Sequence, residues 1–240
     1  MKQVKLFIGV FILGMIAWGC ESSTDTKVTE GTLSMSAKYT TASLLKSSSP
    51  TALDSIKITR ARFVLRDIKF KSPKEDSSNF RTQPMVLELK LNSSLNTIGS
   101  MTVPLRSYSR VEYDVHRVEQ PEISSLPASE QSQFADFLAG EKYSIIISGI
   151  IYNSGAAPDT FTYRSKVDAK QKVDFIPAID VTEASPSVNA TLVISSAKWF
   201  KNQTGALVNP KDTNNEGVID ENLKASIKIY KDNNKDGSND

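Results

Sequence analysis

From about residue 31 onward, the sequence consists largely of short stretches in which apolar and polar residues alternate. The alternation is clearest at Val188, Ala190, Leu192 and Ile194. A period of two is typical of a β-strand with one buried and one solvated face. Further stretches with this pattern begin at Leu33, Ile56, Phe63, Ile68, Val86, Val111 and Phe161.

The stretch from Tyr143 to Ile151 differs because isoleucines occupy both of its faces. It predicts a central strand covered on both sides, or a strand with one end under a loop. Segments rich in Ser, Asn, Asp, Gly and Pro separate the apolar stretches. About nine or ten strands with this spacing predict an all-β fold, an antiparallel sandwich or barrel, of which we favour the β-sandwich.

One short internal helix is predicted from about Ala128 to Ala139. Pro127 is at a first-turn position and Gly140 is a natural C-terminal stop. The apolar stripe of this helix consists of Phe134, Phe137 and Leu138.

The segment from Ile219 to Tyr230 has two possible interpretations. Ile219, Leu223, Ile227 and Tyr230 have the spacing of one helical face, whereas Leu223, Ala225, Ile227 and Ile229 have the spacing of a strand. We favour a C-terminal helix. The chain then divides into a β-sandwich domain at 31–200 and an Asn/Asp-rich loop-helix-loop appendage at 201–240.

The N-terminus has the pattern of an export signal. Lys2 and Lys5 precede an apolar run from Leu6 to Trp18, and Gly19 and Cys20 follow it. This run is shorter than the roughly 20 apolar residues that a membrane-spanning helix needs. We therefore predict a signal peptide at 1–19, followed by a polar, flexible tether at 20–30.

The residues from Ile16 to Cys20 resemble a bacterial lipobox, although Ala17 and Trp18 depart from its common pattern. The resemblance implies that Cys20 is acylated, for example with palmitate, and that the protein is a lipoprotein attached to a membrane through this lipid. Glu21 in place of Asp implies the cell outer membrane, on its periplasmic or its surface side. The alternative is an ordinary signal peptide with a chance cysteine, which would leave a free reactive thiol.

Composition excludes several function classes. The chain has 29 Lys plus Arg and 27 Asp plus Glu, a net charge of +2, and the predicted loss of Lys2 and Lys5 would leave 27 of each. Such a balance gives no electrostatic support for nucleic-acid binding. With one histidine and one cysteine, the chain can form no internal disulfide and no zinc site of the usual His/Cys type.

A Ser-His-acid catalytic site would have to use His116, the only histidine. Because Val111, Tyr113 and Val115 are the apolar positions of this strand, alternation predicts that His116 lies on the solvated face. We therefore predict a protein that is not an enzyme. A pair of catalytic carboxylates stays possible, because their spacing is spatial and not sequential.

Two segments near the C-terminus resemble the first half of an EF-hand or dockerin-type calcium loop, in which oxygen ligands alternate before a glycine. Neither has the closing acid, and Leu223 stands at that position in the first segment. The alternative interpretation is a pair of polar turns. The candidate calcium ligands are Asp212, Asn214, Glu216 and Asp220 in the first segment and Asp232, Asn234 and Asp236 in the second.

Trp199 and a tyrosine such as Tyr108 or Tyr152 could form a sugar-stacking platform. A Trp-Phe pair directly after a strand is more often part of the core, and we favour that interpretation for Trp199 and Phe200.

The order of the strands and motifs resembles a family of bacterial lipoproteins with a β-sandwich domain of unknown function, DUF4382. The resemblance implies a β-sandwich but no activity. It is carried by 55–70, 108–118, 143–149, Trp199-Phe200, Asn209-Pro210 and 231–237.

We therefore predict a lipid-anchored cell-envelope protein with a non-catalytic binding or structural role, with a glycan or a protein as its possible partner. A fimbrial or assembly subunit and a carboxylate-based glycoside hydrolase are the alternatives.

Overall fold

The computed structural model describes residues 28–41, 44–46, 53–74 and 76–240, and these residues contain twelve strands. The predicted signal peptide, Cys20 and most of the predicted tether lie outside the described residues. The strands are β1 Glu30–Thr40, β2 Leu44–Lys46, β3 Leu53–Lys71, β4 Ser77–Arg81, β5 Met85–Glu88, β6 Leu95–Pro104, β7 Ser107–Val115, β8 Ile145–Asn153, β9 Asp159–Ser165, β10 Ala169–Asp180, β11 Ser187–Ser195 and β12 Ile227–Lys231.

The strands form two sheets, as predicted for an all-β sandwich. Sheet A has the order β12-β11-β1-β6, and sheet B has the order β10-β7-β3-β8-β9, with β2, β4 and β5 also paired to β3. Two details of the prediction are wrong. The strand number exceeds ten because three short strands flank β3, and the sandwich is not wholly antiparallel because β1 and β11 run parallel.

Strand β3 is 19 residues long, and its pairing register is interrupted at its start, between Leu53 and Ser55, and at two places in its interior. One interior interruption lies between Ile58 and Arg60, and the other lies between Arg66 and Lys69, where Asp67 has a positive φ of 50°. An extra residue at a bulge shifts all later side chains to the other face. The bulges therefore explain why the apolar positions change from even to odd numbers and back again along one continuous strand.

The segment between β7 and β8 folds into short helices over the outer face of sheet B. It contains α1 Gln120–Ile123, α2 Ala128–Gln131 and α3 Ala135–Leu138, with a 3-10 turn at Ser132–Phe134. The predicted helix is therefore present but interrupted. Gly140 follows it with a φ of 66°, as a C-terminal stop requires. Pro127 is the residue before α2 and not part of its first turn.

These helices cover β8, which confirms the predicted central strand. Ile145, Ile147 and Ile151 face the main core between the sheets, whereas Ile146 packs in a second apolar cluster under the helices. The other buried members of this cluster are Val64, Val118, Ile123, Leu126, Phe134 and Phe137.

The predicted helix from Ile219 to Tyr230 is wrong in its second half. The helix is α4, Glu216–Lys224, and it buries Ile219 and Leu223. Strand β12 follows and pairs with β11, because Ile227 and Ile229 alternate with polar neighbours and continue the core of sheet A. The C-terminal segment is thus joined to the sandwich through β12 and is not a simple loop-helix-loop. None of the helices in the described part of the chain has the length and apolar character of a membrane span.

Candidate functional site

His116 directly follows β7 and is not exposed, contrary to the prediction. Alternation does place it on the outer face of sheet B, where its backbone N–H donates to Val64 O at 3.1 Å. However, the loop that carries α1 folds back over this face, and only 9% of the His116 side chain is exposed. The burial comes from residues downstream of β7, so the strand pattern alone could not predict it.

Both ring nitrogens of His116 face carboxylates. Nε2 lies 2.9 Å and 3.0 Å from the two oxygens of Glu122, and Nδ1 lies 3.5 Å from Asp168 Oδ1. The histidine thus ties α1, which carries Glu122, to the loop between β9 and β10, which carries Asp168.

Glu122 is held from several sides. Its Oε1 accepts a hydrogen bond from Arg66 Nη1 at 2.5 Å, and its Oε2 accepts one from the backbone N–H of Glu119 at 2.7 Å. The second bond is part of a capping box at the start of α1. Burial alone would raise the pKa of Glu122, but the hydrogen bonds from His116 and Glu119 and the charges of His116 and Arg66 outweigh it. The pKa of Glu122 therefore lies below its ordinary value.

These residues line an open cleft of about 650 Å³ between α1, the loop that precedes β8 and the β9–β10 loop. Its walls carry charges of both signs, many of them paired with each other. Lys142 Nζ lies 3.0 Å from Glu119 Oε1, and Arg117 Nε lies 3.9 Å from Asp168 Oδ2. Such a surface can bind a polar ligand through hydrogen bonds and ion pairs. The cleft residues are Arg66, His116, Arg117, Glu119, Glu122, Gly140, Glu141, Lys142 and Asp168.

The second predicted calcium segment forms a tight loop against the outer face of sheet A. Asp232 is fully buried, and its carboxylate accepts hydrogen bonds from the backbone N–H groups of Asp236 and Gly237, both at 3.0 Å. Thr191 on β11 donates a third bond at 2.6 Å. Asn234 Oδ1 also accepts from the Asp236 N–H at 2.9 Å. The structure thus brings the three predicted ligands of this segment into one loop.

The first predicted calcium segment does not form a comparable loop. Asp212 is a helix cap that accepts the backbone N–H of Asn214 at 3.0 Å, and the chain continues as a 3-10 turn at Thr213–Asn215 and then as α4. Glu216 begins α4, while Asp220 accepts a hydrogen bond from Tyr163 at 2.7 Å. Burial, together with this bond to Asp220, raises the pKa of Tyr163. The four predicted ligands are therefore spread along the cap, the 3-10 turn and α4.

Among the described residues, no three His, Cys, Asp or Glu side chains come together in a group that could hold a metal ion. Calcium binding stays a prediction.

Two of the three aromatic side chains considered for sugar stacking are in the core, whereas Tyr152 is partly exposed. Trp199 and Tyr108 are fully buried, and Trp199 packs against Tyr39 and Phe63 with ring centroids 6.1 Å and 5.9 Å apart. This confirms the interpretation of Trp199 as a core residue. Trp199 and Tyr108 cannot form an exposed platform.

Only part of the cleft could have been found from sequence. Glu119 and Glu122 have the three-residue spacing of a capping box just after His116, which is a local signal that the chain turns into a helix there. Asp168 is 52 residues from His116 and joins it only because β10 pairs with β7, so no local pattern could have indicated this contact.

Comparisons with known proteins give one distant likeness. No protein-family model and no curated protein matches the sequence. Among solved structures, the chain is similar to MbnP from Methylosinus trichosporium, with 7% sequence identity and a TM-score of 0.46, over 85% of this chain and 99% of that chain.

Proposed function

We propose that this protein is a lipid-anchored envelope module that binds a polar ligand in the cleft beside His116 and performs no catalysis. The observation that carries this proposal is the bonding of His116. Both of its nitrogens are engaged by the carboxylates of Glu122 and Asp168. A catalytic histidine needs one nitrogen directed at a nucleophile or a substrate proton. Here the histidine instead holds the walls of the cleft together.

A polar ligand such as a glycan fits the cleft through hydrogen bonds. Lys142, Glu119 and Arg117 are each between two-fifths and three-fifths exposed, so their charged ends can exchange their present partners for ligand groups. A glycan in this cleft would be recognised by charged and hydrogen-bonding side chains, since Trp199 and Tyr108 are buried.

Glycoside hydrolysis is the less supported candidate, although the cleft does bring several carboxylates together. The general acid of a glycosidase needs a raised pKa so that it carries a proton at neutral pH. The pKa of Glu122 lies below its ordinary value because hydrogen bonds and positive charges outweigh its burial. Glu122 therefore has the electrostatics of a structural anion.

The binding proposal is tested by a glycan array and a cell-wall pull-down with the wild-type protein and the variant Lys142→Ala. We expect binding by the wild type and a loss of about tenfold in the variant, because Lys142 is on the rim of the cleft. Lys211→Ala is a matched control, since Lys211 has similar exposure and also pairs with one acid, Asp159. Empty results in both assays with the wild type would refute glycan binding.

The anchor is tested separately by cell fractionation of the variant Cys20→Ser. A protein with two or three acyl chains stays on a bilayer because each buried methylene contributes about 0.8 kcal/mol. We expect the wild type in the outer-membrane fraction with a lipid-modified N-terminus in mass spectrometry. Wild-type protein that carries no lipid would contradict the proposed anchor.

A further inference from the structure

The outer face of sheet B beside the cleft carries charged residues in three cross-strand rows. The pairing of β3, β7 and β10 aligns Arg66, Asp114 and Lys170 in the first row. The second row contains Lys69, Glu112 and Lys172, and the third contains Lys71, Arg110 and Asp174. The alternate residues of β7, Val111, Tyr113 and Val115, face the core. We call these nine charged residues the basic face.

The centre of the basic face is one carboxylate surrounded by three ammonium groups. Glu112 lies 3.4 Å from Lys170, 3.8 Å from Lys69 and 3.9 Å from Lys172, and its own side chain is only 6% exposed. Burial alone would raise the pKa of Glu112, but the hydrogen bond from Lys170 and the charges of the three lysines outweigh it and lower that pKa. One negative charge thus gathers three positive charges.

Two of the three lysines at this centre are open to solvent, and Lys69 is partly buried. The side chains of Lys170 and Lys172 are 50% and 58% exposed, so their ammonium groups can reach a second anion outside the protein. The three rows contain six cations and three acids, and two further acids outside the rows, Asp67 and Glu122, pair with Arg66. The excess of positive charge is therefore concentrated around Glu112. The sequence after residue 19 has equal numbers of acidic and basic residues, so the basic face is a local excess of positive charge on a balanced chain.

We propose that the basic face docks on the phosphate groups of anionic lipid headgroups in the bilayer that holds the lipid anchor. The proposal rests on the anchored function proposed above. Its argument is charge complementarity, because clustered lysines and arginines close to a membrane are attracted to anionic headgroups within a Debye length.

The position at which the chain enters the fold agrees with this arrangement. Glu30 begins β1 opposite Pro104, and β7 begins three residues later at Ser107, so both strands start at the same end of the sandwich. The row containing Arg110 is close to that end. Between Cys20 and Val28, the first described residue, the chain can span at most about 30 Å when fully extended. A bilayer that holds Cys20 is therefore within reach of the face.

The experiment uses the full-length protein as the cell processes it, reconstituted into phosphatidylcholine vesicles and into vesicles with about one-third phosphatidylglycerol. An amine-reactive reagent and mass spectrometry measure the labelling of each lysine. In the anionic vesicles we expect labelling of Lys69, Lys170 and Lys172 to fall about threefold or more, and about 0.5 M salt should restore it. Lys211 and Lys228 are internal controls, and equal labelling of the face in both vesicle types would overturn the proposal.

Failure of the anchor can be distinguished from failure of the basic face. Flotation with neutral vesicles reports the anchor alone, because such vesicles give the lysines no net negative partner. A protein that does not float with neutral vesicles but floats with anionic ones at low salt supports the face and contradicts the anchor. A protein that floats with neither contradicts both.

Substitutions test whether the lysines act together. In the double variant Lys170→Gln and Lys172→Gln, we expect Lys69 to lose its protection in anionic vesicles, whereas the matched variant Lys211→Gln and Lys224→Gln should keep it. If removal of two cations from around Glu112 unfolds the protein, the single variant Lys172→Gln provides the same comparison. Protection of these lysines by a soluble acidic polysaccharide, without protection by anionic vesicles, would overturn the lipid assignment in favour of a polymer.

Discussion

Two segments of this chain share the pattern Asp-x-Asn-x-acid-Gly, one starting at Asp212 and the other at Asp232, yet they adopt different structures. In the first segment, Ile219 and Leu223 follow at helical spacing and become buried, so the acidic residues lie on or beside a helix. The second segment follows β12, which places it over the outer face of sheet A. The surrounding elements, and not the motif, determine the local structure.

The two aspartates that open these segments also differ in what they contribute. Asp212 is exposed and caps one backbone N–H. Asp232 is fully buried and accepts two backbone N–H groups and the Thr191 hydroxyl. Lys38 closes the same loop by donating to the carbonyl oxygens of Asp236 and Gly237 at 3.0 Å and 3.1 Å. The second segment is therefore part of the packed structure, whereas the first is a surface cap.

The largest expected difference is between Asp232→Ala and Asp212→Ala. Removal of the Asp232 carboxylate leaves the Gly237 N–H and the Thr191 hydroxyl without an acceptor, and it leaves the Asp236 N–H with Asn234 Oδ1 alone. We therefore expect a loss of about 3 kcal/mol or more in the free energy of unfolding. Removal of the Asp212 cap should cost about 1 kcal/mol. Urea unfolding of both variants measures the two losses.

The milder variant Thr191→Val keeps the comparison testable if Asp232→Ala does not fold. It removes one of the three hydrogen bonds to Asp232 and should cost about 1–2 kcal/mol. Equal losses for the variants at positions 212 and 232 would contradict the structural distinction between the two segments.

The glycines of the two segments give a smaller contrast, of opposite sign. Gly237 has a φ of 77°, and a Cβ there would collide with the Lys38 side chain. Gly217 lies in α4 and has open space around it. We expect Gly237→Ala to lower the free energy of unfolding by about 1–2 kcal/mol. Gly217→Ala should raise it by up to about 1 kcal/mol, because alanine has the higher helix propensity.

Thermal unfolding of the two alanine variants beside the wild type measures this contrast. A change of the same sign in both variants would contradict either the left-handed conformation at Gly237 or the helical conformation at Gly217.

The strands of this fold could be predicted because their signal is local. Alternation of apolar and polar residues locates the strands that begin near Leu33, Ile56 and Val188. The change of the apolar positions from even to odd numbers within β3 is also visible in the sequence, but the sequence does not show its cause. A bulge such as the one at Asp67 needs a positive φ that Asp tolerates, and the sequence cannot distinguish it from a break between two strands.

The candidate site was less predictable because its contacts are not local. The alternation of β7 predicts that His116 is exposed. The side chain is buried only because Glu122 on α1 and Asp168 beyond β9 lie against it. The sequence predicts a C-terminal helix that is too long for a related reason. Ile227 fits both a helical and a strand period, and the edge of β11 decides in favour of the strand.

Calcium should give the smallest effect and distinguish the two segments most finely. Both lack the closing acid, so any affinity should be of the millimolar, extracellular kind. At about 5 mM calcium and a dissociation constant of about 1 mM, linkage gives about 1 kcal/mol, or about 2–4 °C in the midpoint of thermal unfolding. We expect Asp236→Ala to abolish this shift and Asp212→Ala to preserve it. The second segment holds its three candidate ligands in one loop, whereas Glu216 and Asp220 of the first segment lie in α4. Magnesium at the same concentration is the control for ionic strength. A wild-type midpoint that calcium leaves unchanged would contradict binding by either segment, and a shift abolished only by Asp212→Ala would reverse the comparison.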